Sequence, residues 1–593
     1  MVRPFRTPAI LLSILLLALA LRLAPWGHNR FLEDEALYAY WGLQIATGAD
    51  PMLNAEPVDK PPLHPYLLAL SFRLLGQNET AARLPGLMAS MAGVALMYAL
   101  GRTLTPTGVN LRRRRLEIAP VGAEHRSAPG RPPARTEAST PVDAWPQAPE
   151  VRLESLPLTP VALSPVPPSS TGGCLKKVFS HRRERRGIME KLGGLCVSAA
   201  QTRTFSAAST AEGRLHTGRG EEVALLAALL LALSPFDILF ASTAFTDPPM
   251  TAWVLAALLA AAQGHLGRAG LLAGLAAATK QQGLFFLPLV VVVASGPPQS
   301  PSPRRAGWLR FFLGLALIAA GVIGWDAARL QRPGFFQQSL ISYGGLGPVR
   351  PQALGERAVE WLRLVGLFWV SPWFNGLLAV ALLLWIGGSG LHILPCPLSR
   401  TEGAMLIFVV GFLVLHWLVG FQVWDRYLLG LVPLLALLAA RAFVALTGGR
   451  GLTLGLGLVL AILLAGPVVR ATRSEIPVGG DHGAYDGIDA LAAWVRTSVP
   501  PGAVLYHHWL GYHYRFYLYG APLRLHWYPD PADLVHDARV YRREPRYIAF
   551  PSFRDSAPME AALADAGIHL VPVFQTTRRD GTVSFRLYRL EGP

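Results

Sequence analysis

The sequence predicts a mainly α protein: a polytopic transmembrane helix bundle of about eleven spans, followed by a small extracytoplasmic α/β domain. Three observations carry that prediction. Only 16% of the residues are charged and 52% are hydrophobic, whereas soluble domains carry roughly 25% charged residues, so lipid is the solvent for much of the chain. Apolar runs of about 20 residues, long enough to cross a bilayer core, recur between basic loops. After residue 470 those runs stop and short alternating ones begin. The formal charge of +16 does not call for a nucleic-acid partner. The arginines gather in one hydrophilic stretch and in loops flanking spans, where cytoplasmic loops carry such an excess.

Pro8–Ala24 follows Arg3 and Arg6 as a signal peptide would. It lacks a small-residue cleavage site and Arg22 interrupts its end, so it is expected to stay as the first span, with the N-terminus in the cytoplasm. Phe31–Leu63 then lies outside. It opens on Glu33, Asp34 and Glu35 and closes on Asp59-Lys60-Pro61-Pro62. Between them Leu37, Tyr38, Tyr40, Trp41, Leu43 and Ile45 are spaced for an amphipathic helix lying along the membrane surface; a charged loop between two spans is the plainer alternative. Pro61–Gly76 is apolar but short and starts with two prolines, which makes it a second surface helix. Arg83–Leu100 returns inward.

Residues 103–221 hold LRRRR (111–115), HRRERR (181–186) and a middle rich in Pro, Ser, Thr and Ala with few aromatics. Such a composition buries too little apolar surface to offset ordering entropy, so a disordered cytoplasmic insertion is expected. Contact of its Arg runs with anionic lipid or nucleic acid is the functional reading; a solvated insert is favoured. The domains are therefore residues 1–102, the insertion 103–221, the rest of the bundle at 222–470, and the tail 471–593.

Beyond the insertion, the spans are expected at Val223–Phe240 and Met250–Gln263, then as a hairpin of 269–279 and 283–295 with Lys280 at its outer turn. Trp308–Ala328, Asn375–Ile386, Ala404–Gln422, Leu428–Leu446 and Leu452–Val469 follow, with an amphipathic stretch at Arg357–Val370. This topology puts Asp34, Asp59, Lys60, Asp247, Lys280 and Arg426 on one side of the membrane. A transporter would place ionisable residues near the midplane instead, where Asp237, Asp326 and His416 are the candidates. Cys174, Cys196 and Cys396 lie in no external segment, so no disulfide framework is implied. In the tail, 488–499, 531–541 and 557–566 read as helices, and 503–509, 546–550, 568–574 and 583–590 as strands. His507 and His508 are adjacent on a strand and so point to opposite faces, and with His513 they suit packing or substrate contact better than a shared metal.

The motifs DEALYAY (34–40), DKPPLHPYLLAL (59–70), GQNETAARLPG (76–86), SPFDILFASTAFTDPP (234–249), ATKQQGLFFLPL (278–289) and DRYLLGLVP (425–433) occur in that order. The series resembles family 39 glycosyltransferases, the type C membrane enzymes that include protein O-mannosyltransferases and the lipid A aminoarabinose transferase. It covers residues 1–102 and 221–470; the tail shows no matching motif, and the insertion departs from the family.

The resemblance implies transfer of a sugar from a polyprenyl-phosphate donor to an acceptor hydroxyl on lipid, glycan or protein. The reaction would take place at the outer face of the plasma (inner) membrane of a bacterium, with membrane lipids as surroundings. Asp34 is the matching catalytic acid, with Glu35 assisting it or complementing the helix dipole. Asp247 is the second acid, though Asp before proline is also a good helix start. Lys60, Arg83, Lys280 and Arg426 are the donor-phosphate candidates, of which Lys60 and Arg83 match the family best; basic residues at span ends are also interfacial anchors. Some relatives use a divalent metal, and here Asp59 and His64 are the matching ligands. Two residues are too few to name an ion, so no cofactor is assigned and metal dependence stays open. Two other readings compete: a transporter or lipid flippase gated by the outer carboxylates, and a non-catalytic scaffold presenting the tail.

Overall fold

The computed structural model describes residues 6–105, 205–296, 304–329, 333–343, 347–391, 393–394, 397–447 and 450–592. Of the disorder expected for 103–221, residues 106–204 lie outside the described residues, as do the three cysteines, whereas 205–221 are helical instead. Apart from 205–213, the described chain belongs to one contact unit, Met1–Asn110 with Arg214–Pro593; the second unit, Leu111–Gly213, lies largely outside the description.

The first part of the bundle is α1 (Arg6–Leu23), α2 (Glu33–Thr47), α3 (Leu63–Leu75) and α4 (Glu79–Leu104). Asn78 sets the start of α4 by accepting the Ala81 N–H at 2.8 Å, a side-chain cap that satisfies an orphan donor. That cap is why α4 begins before the expected Arg83. Gly42 of α2 faces Leu68 of α3, and a Cβ there would sit 2.7 Å from the Leu68 Cβ; glycine lets the two helices lie against each other. The acidic helix is buried along Ala36, Ala39, Trp41, Leu43 and Ile45, so its apolar face packs on protein rather than only on a membrane surface.

After α5 (Phe205–Ala232) and α6 (Pro235–Ala241) come α7 (Asp247–Ala262), α8 (Leu266–Thr279) and α9 (Leu287–Ala294). The single span expected over Val223–Phe240 is broken, with α5 and α6 bent by 60°. The cause is local. Pro235 has no N–H to donate to the helix before it, and Ser234 restarts the helix by accepting the Asp237 N–H. The remaining bundle is α10 (Arg304–Ala328), α11 (Phe335–Ser342), α12 (Leu354–Gly366), α13 (Pro372–Gly390), α14 (Arg400–Leu418), α15 (Leu431–Leu446) and α16 (Arg450–Thr472). Among the described residues five helices are long and apolar enough to cross a membrane, or six with the bent pair counted as one. Thr7–Leu23, Leu63–Leu75, Asp247–Ala262, Leu266–Thr279, Gln281–Ala294 and Leu431–Leu446 are apolar but shorter. Length and composition alone thus support fewer crossings than the eleven expected.

Polar ties hold the bundle where apolar packing has no direction. Arg22, which interrupts the end of the first span, is fully buried. Its Nε donates to Ser90 Oγ at 2.6 Å and its guanidinium pairs with Asp237, which also accepts from Ser90 Oγ at 2.6 Å. These three residues join α1, α4 and α6. Arg357 closes the C-terminal end of α14 by donating to the carbonyls of His416, Val419 and Phe421. Arg441 and Glu402 form a second buried pair, between α15 and α14.

The tail folds as α17 (Ile488–Ser498), β1 (Val504–His507), α18 (Gly511–Tyr517), β2 (Arg524–Trp527), α19 (Pro531–Val540), β3 (Arg546–Pro551), α20 (Ala557–Asp565), β4 (His569–Thr577) and β5 (Val583–Glu591). The sheet order is β2-β1-β3-β5-β4, parallel over its first three strands and antiparallel over the rest. The helix α18 and strand β2 were not expected; both are short, and their aromatic-rich sequences show neither period clearly.

The tail packs on the loops around α2. Arg30 N–H donates to Asp481 at 2.8 Å, Tyr485 OH to Glu33, Tyr517 OH to Glu79 at 2.6 Å, and Gln77 to the Phe516 carbonyl at 2.6 Å. His513 is buried with Nε2 2.8 Å from the Phe31 carbonyl, which accounts for one of the three tail histidines by packing.

Replacing Arg22 with Ala strands the Asp237 carboxylate in the bundle. We expect a loss of about 3–5 kcal/mol, seen as a lower melting midpoint of the purified protein; an unchanged midpoint contradicts the role given to this pair.

Candidate active site

The site is built at the beginnings and ends of helices, where backbone geometry brings charged side chains out of the apolar layer. Asp34 is in the first turn of α2, Asp247 is the first residue of α7, and Lys280 sits in the break between α8 and the 3-10 turn Gln281–Phe286. Arg426 is in a second 3-10 turn, Asp425–Leu428, which precedes α15. Asp59 and Lys60 end the loop before α3.

These residues, drawn from positions 34 to 426 of the sequence, pair as three cations with three carboxylates. Arg426 contacts Asp34 at 2.5 Å, Lys280 contacts Asp247 at 2.5 Å, and Lys60 contacts Asp59 at 2.5 Å. Aromatic rings knit the pairs together. Tyr427 lies under both cations of its neighbours, 4.6 Å from Lys280 Nζ and 5.9 Å from Arg426 Cζ to the ring centroid, and Tyr343 lies 4.9 Å from Lys60 Nζ. Phe245, two residues before Asp247, is 5.0 Å from the Arg426 guanidinium. Gln281 donates to the Asp59 carbonyl and to Ser339 Oγ, both at 2.7 Å. Gln282 donates to the Tyr427 carbonyl at 2.9 Å.

Exposure separates the two acids. Asp247 is fully buried against Lys280, whereas the Asp34 side chain is 40% exposed and reachable by a substrate. Partial burial opposes ionisation of Asp34, but the positive charges of Arg426, Lys60 and Lys280 overcome it and hold its carboxyl below the ordinary value. Burial acts the other way on Lys280: it outweighs the pull of Asp247 and lowers the ammonium to about 8.

Glu35 plays a different part from its neighbour. Its carboxylate is buried and bridges two backbone amides, Leu32 N–H at 3.1 Å and Ala244 N–H at 2.7 Å. The first bond caps α2 and the second fixes the loop that leads into Asp247. Burial pushes its carboxyl up to about 7 against the charge of Arg83 and the two amides. Arg83 lies beside this clamp. It pairs with Glu79 at 2.9 Å and donates to the carbonyls of Trp26 and Asn29, so its charge is met in the loop before α2 and not by an acid of the cluster.

Asp59 and His64 do not pool as metal ligands. Asp59 is held by Lys60, and His64 Nε2 lies 2.8 Å from the Ala244 carbonyl. Among the described residues no group of three or more His, Cys, Asp or Glu is placed to hold an ion. No step is drawn through a metal. The residues that sequence reasoning missed are Tyr343, Gln281 and Ser339. Gln281 adjoins Lys280 in a quoted motif, while the segment carrying Ser339 and Tyr343 shows no motif at all.

A family model described as dolichyl-phosphate-mannose-protein mannosyltransferase matches residues 59–112, beginning at Asp59. The structure of ArnT from Cupriavidus metallidurans in the apo state is 13% identical, with a TM-score of 0.57 over 98% of this chain and 97% of that one. The fold is that of ArnT. The same protein bound to undecaprenyl phosphate matches at 13% identity and a TM-score of 0.56, covering 99% and 98% of the two chains. No curated protein sequence matches. The resemblance drawn from the ordered motifs is therefore met by a family model that spans two of them and by an ArnT fold running the length of the chain.

Glu35→Gln leaves one oxygen where two accepted, so one buried N–H loses its partner. Such a loss costs about 1–3 kcal/mol. A melting midpoint matching that of the unchanged protein would show that the two-amide clamp is not needed.

Proposed function

We propose that this chain is a type C integral membrane glycosyltransferase that moves a sugar from a polyprenyl-phosphate donor to an acceptor hydroxyl. The acceptor is lipid, glycan or protein, at the outer face of the plasma membrane, with the N-terminus cytoplasmic and the tail domain extracytoplasmic. The observation that carries the reading is the convergence of Asp34, Asp59, Asp247, Lys60, Lys280 and Arg426, all from the ordered motifs, into one cluster. The ArnT fold, the family match at residues 59–112, and the bound undecaprenyl phosphate of the ArnT structure support the donor class.

The chemistry follows from charge. As the acceptor oxygen forms its bond to the anomeric carbon, it must shed a proton, and the bond from that carbon to the phosphate oxygen must break. Asp34, exposed and kept ionised, is suited to take the proton as general base. The electron pair of the broken bond leaves on the polyprenyl phosphate. Lys60, Lys280 and Arg426 are fixed cations that favour that developing charge without reorganising. Asp247 fixes Lys280 from full burial, and Glu35 sets the loop between the two acids. Arg83 acts in this scheme by shaping the loop before α2. A single displacement inverts the anomeric centre.

The transporter alternative loses support from where its midplane candidates are engaged. Asp237 is committed to Arg22 and Ser90, and His416 stacks on Phe412 at 4.1 Å with Nδ1 on a backbone carbonyl.

Purified protein incubated with a panel of radiolabelled polyprenyl-phosphate sugars tests the proposal. Asp34→Asn should lower transfer about 10²–10⁴-fold while inserting and folding normally; undiminished transfer removes Asp34 as the base. A second expectation concerns pH. Lys280 is charged below about 8 and loses its proton above it, so transfer should fall as pH rises through that value. Lys280→Arg should move the alkaline limb upward, and a limb that stays in place would exclude Lys280 as its source.

A further inference from the structure

A cleft of about 190 Å³ opens between the acidic helix α2 and the tail domain, lined by Tyr40 from α2 and by Tyr514, Arg515, Leu518, Tyr519 and Leu525 from the tail. It lies apart from the ion-pair cluster, and none of the residues given a role above lines it. Ligand pockets for drug-sized molecules start near ~300 Å³, so this one has room for a single ring and not for a lipid chain.

Its lining has the makeup that recognises a sugar. Aromatic faces suit the C–H face of a pyranose, and hydroxyl, amide and guanidinium groups suit its hydroxyls. The Arg515 guanidinium lies 5.5 Å from the Tyr40 ring centroid, faces Glu56 at 3.4 Å and is 42% exposed. The Tyr519 hydroxyl is 2.7 Å from Thr47 Oγ1 and 3.3 Å from Gln44 Oε1, so the rim is already a chain of donors and acceptors. Tyr514 is fully buried, and its hydroxyl has no hydrogen-bond partner among the described residues. A buried hydroxyl without a partner is unusual in a folded protein, and it belongs to a side chain lining the cleft.

We propose that this cleft is a sugar-binding subsite, in which the tail domain and α2 hold the polar headgroup of the acceptor. The proposal rests on the transferase reading given above. It gives the tail domain a role in choosing what is glycosylated. The same chemistry would also hold the donor's sugar, and the experiment separates the two.

Full-length protein in lipid nanodiscs is titrated with methyl α-mannoside and methyl α-glucoside, with binding read by saturation-transfer NMR. The donor KM is measured in parallel with radiolabelled polyprenyl-phosphate sugar. At least one glycoside should bind, and Arg515→Ala and Tyr519→Ala should each weaken it about tenfold or more with the donor KM unchanged. Tyr519→Phe, which keeps the ring and loses the hydroxyl, should fall between. Asp34→Asn should retain glycoside binding while losing transfer. No binding of either glycoside, or binding indifferent to Arg515 and Tyr519, overturns the subsite. A donor KM that rises in these variants assigns the cleft to the donor and overturns the acceptor role. Retained transfer in Asp34→Asn with glycoside binding intact would remove the catalytic scheme and leave the subsite standing.

Discussion

A charge taken out of water must be paired or it costs several kcal/mol, and that constraint shapes the site. Lys280 and Asp247 are both fully enclosed, and each is tolerable only because the other is 2.5 Å away. The same holds for Lys60 with Asp59 and for the inner part of Arg426 with Asp34. Each pair crosses between segments or fixes a loop, so satisfying the charges also fixes the relative placement of α2, α7, the α8–α9 turn and the turn before α15. Apolar packing among helices cannot do this alone, because lipid tails are as apolar as leucine and give helix association no hydrophobic drive.

The same constraint explains why the cluster suits an anionic leaving group. Three cations face three carboxylates, so the paired cluster carries little net charge. A phosphate entering it meets cations already oriented by their partners and by Tyr343 and Tyr427, whose rings stabilise positive charge on one face. Orientation comes before the substrate, which is the condition under which fixed charges lower a barrier.

The sequence made much of this legible because the chemistry sits at helix boundaries, and boundaries have strong signals. Prolines in DKPP, TDPP and the Ser234-Pro235 step mark places where helices must start or stop, and Asp59, Lys60, Asp247 and Asp237 sit beside them. Apolar length gave the fold class, and the reading that put six ionisable residues on one side brought together the six that pair. The illegible parts have physical causes. The 60° break between α5 and α6 was hidden because the apolar run continues across it. Arg83 matched a motif, yet its local geometry, with Glu79 one turn before it and two free carbonyls nearby, directs its charge elsewhere. Tyr343 and Ser339 join the site only through tertiary contact from a segment with no distinguishing pattern. In the tail, α18 and β2 are too short for either period to emerge, though α18 carries most of the contact with α2.

Glu35 shows why two adjacent acids need not share a role. Along a helix, neighbours in sequence point about 100° apart, so Asp34 and Glu35 cannot both face the same cluster. Asp34 turns toward Arg426 and solvent, whereas Glu35 turns inward to the Leu32 and Ala244 amides. An acid kept exposed and surrounded by cations stays ionised and available to a substrate. One buried against backbone donors is suited to holding a loop in place. The loop it holds runs from Ala244 into Asp247, while the other end of the same helix turn abuts the tail through Glu33 and Tyr485. A single helical turn thus presents three consecutive carboxylates to three different surfaces: Glu33 to the tail domain, Asp34 to the ion-pair cluster and Glu35 to the loop behind it. Any shift in the register of α2 would break all three contacts together, and this couples the seating of the tail domain to the position of the exposed acid.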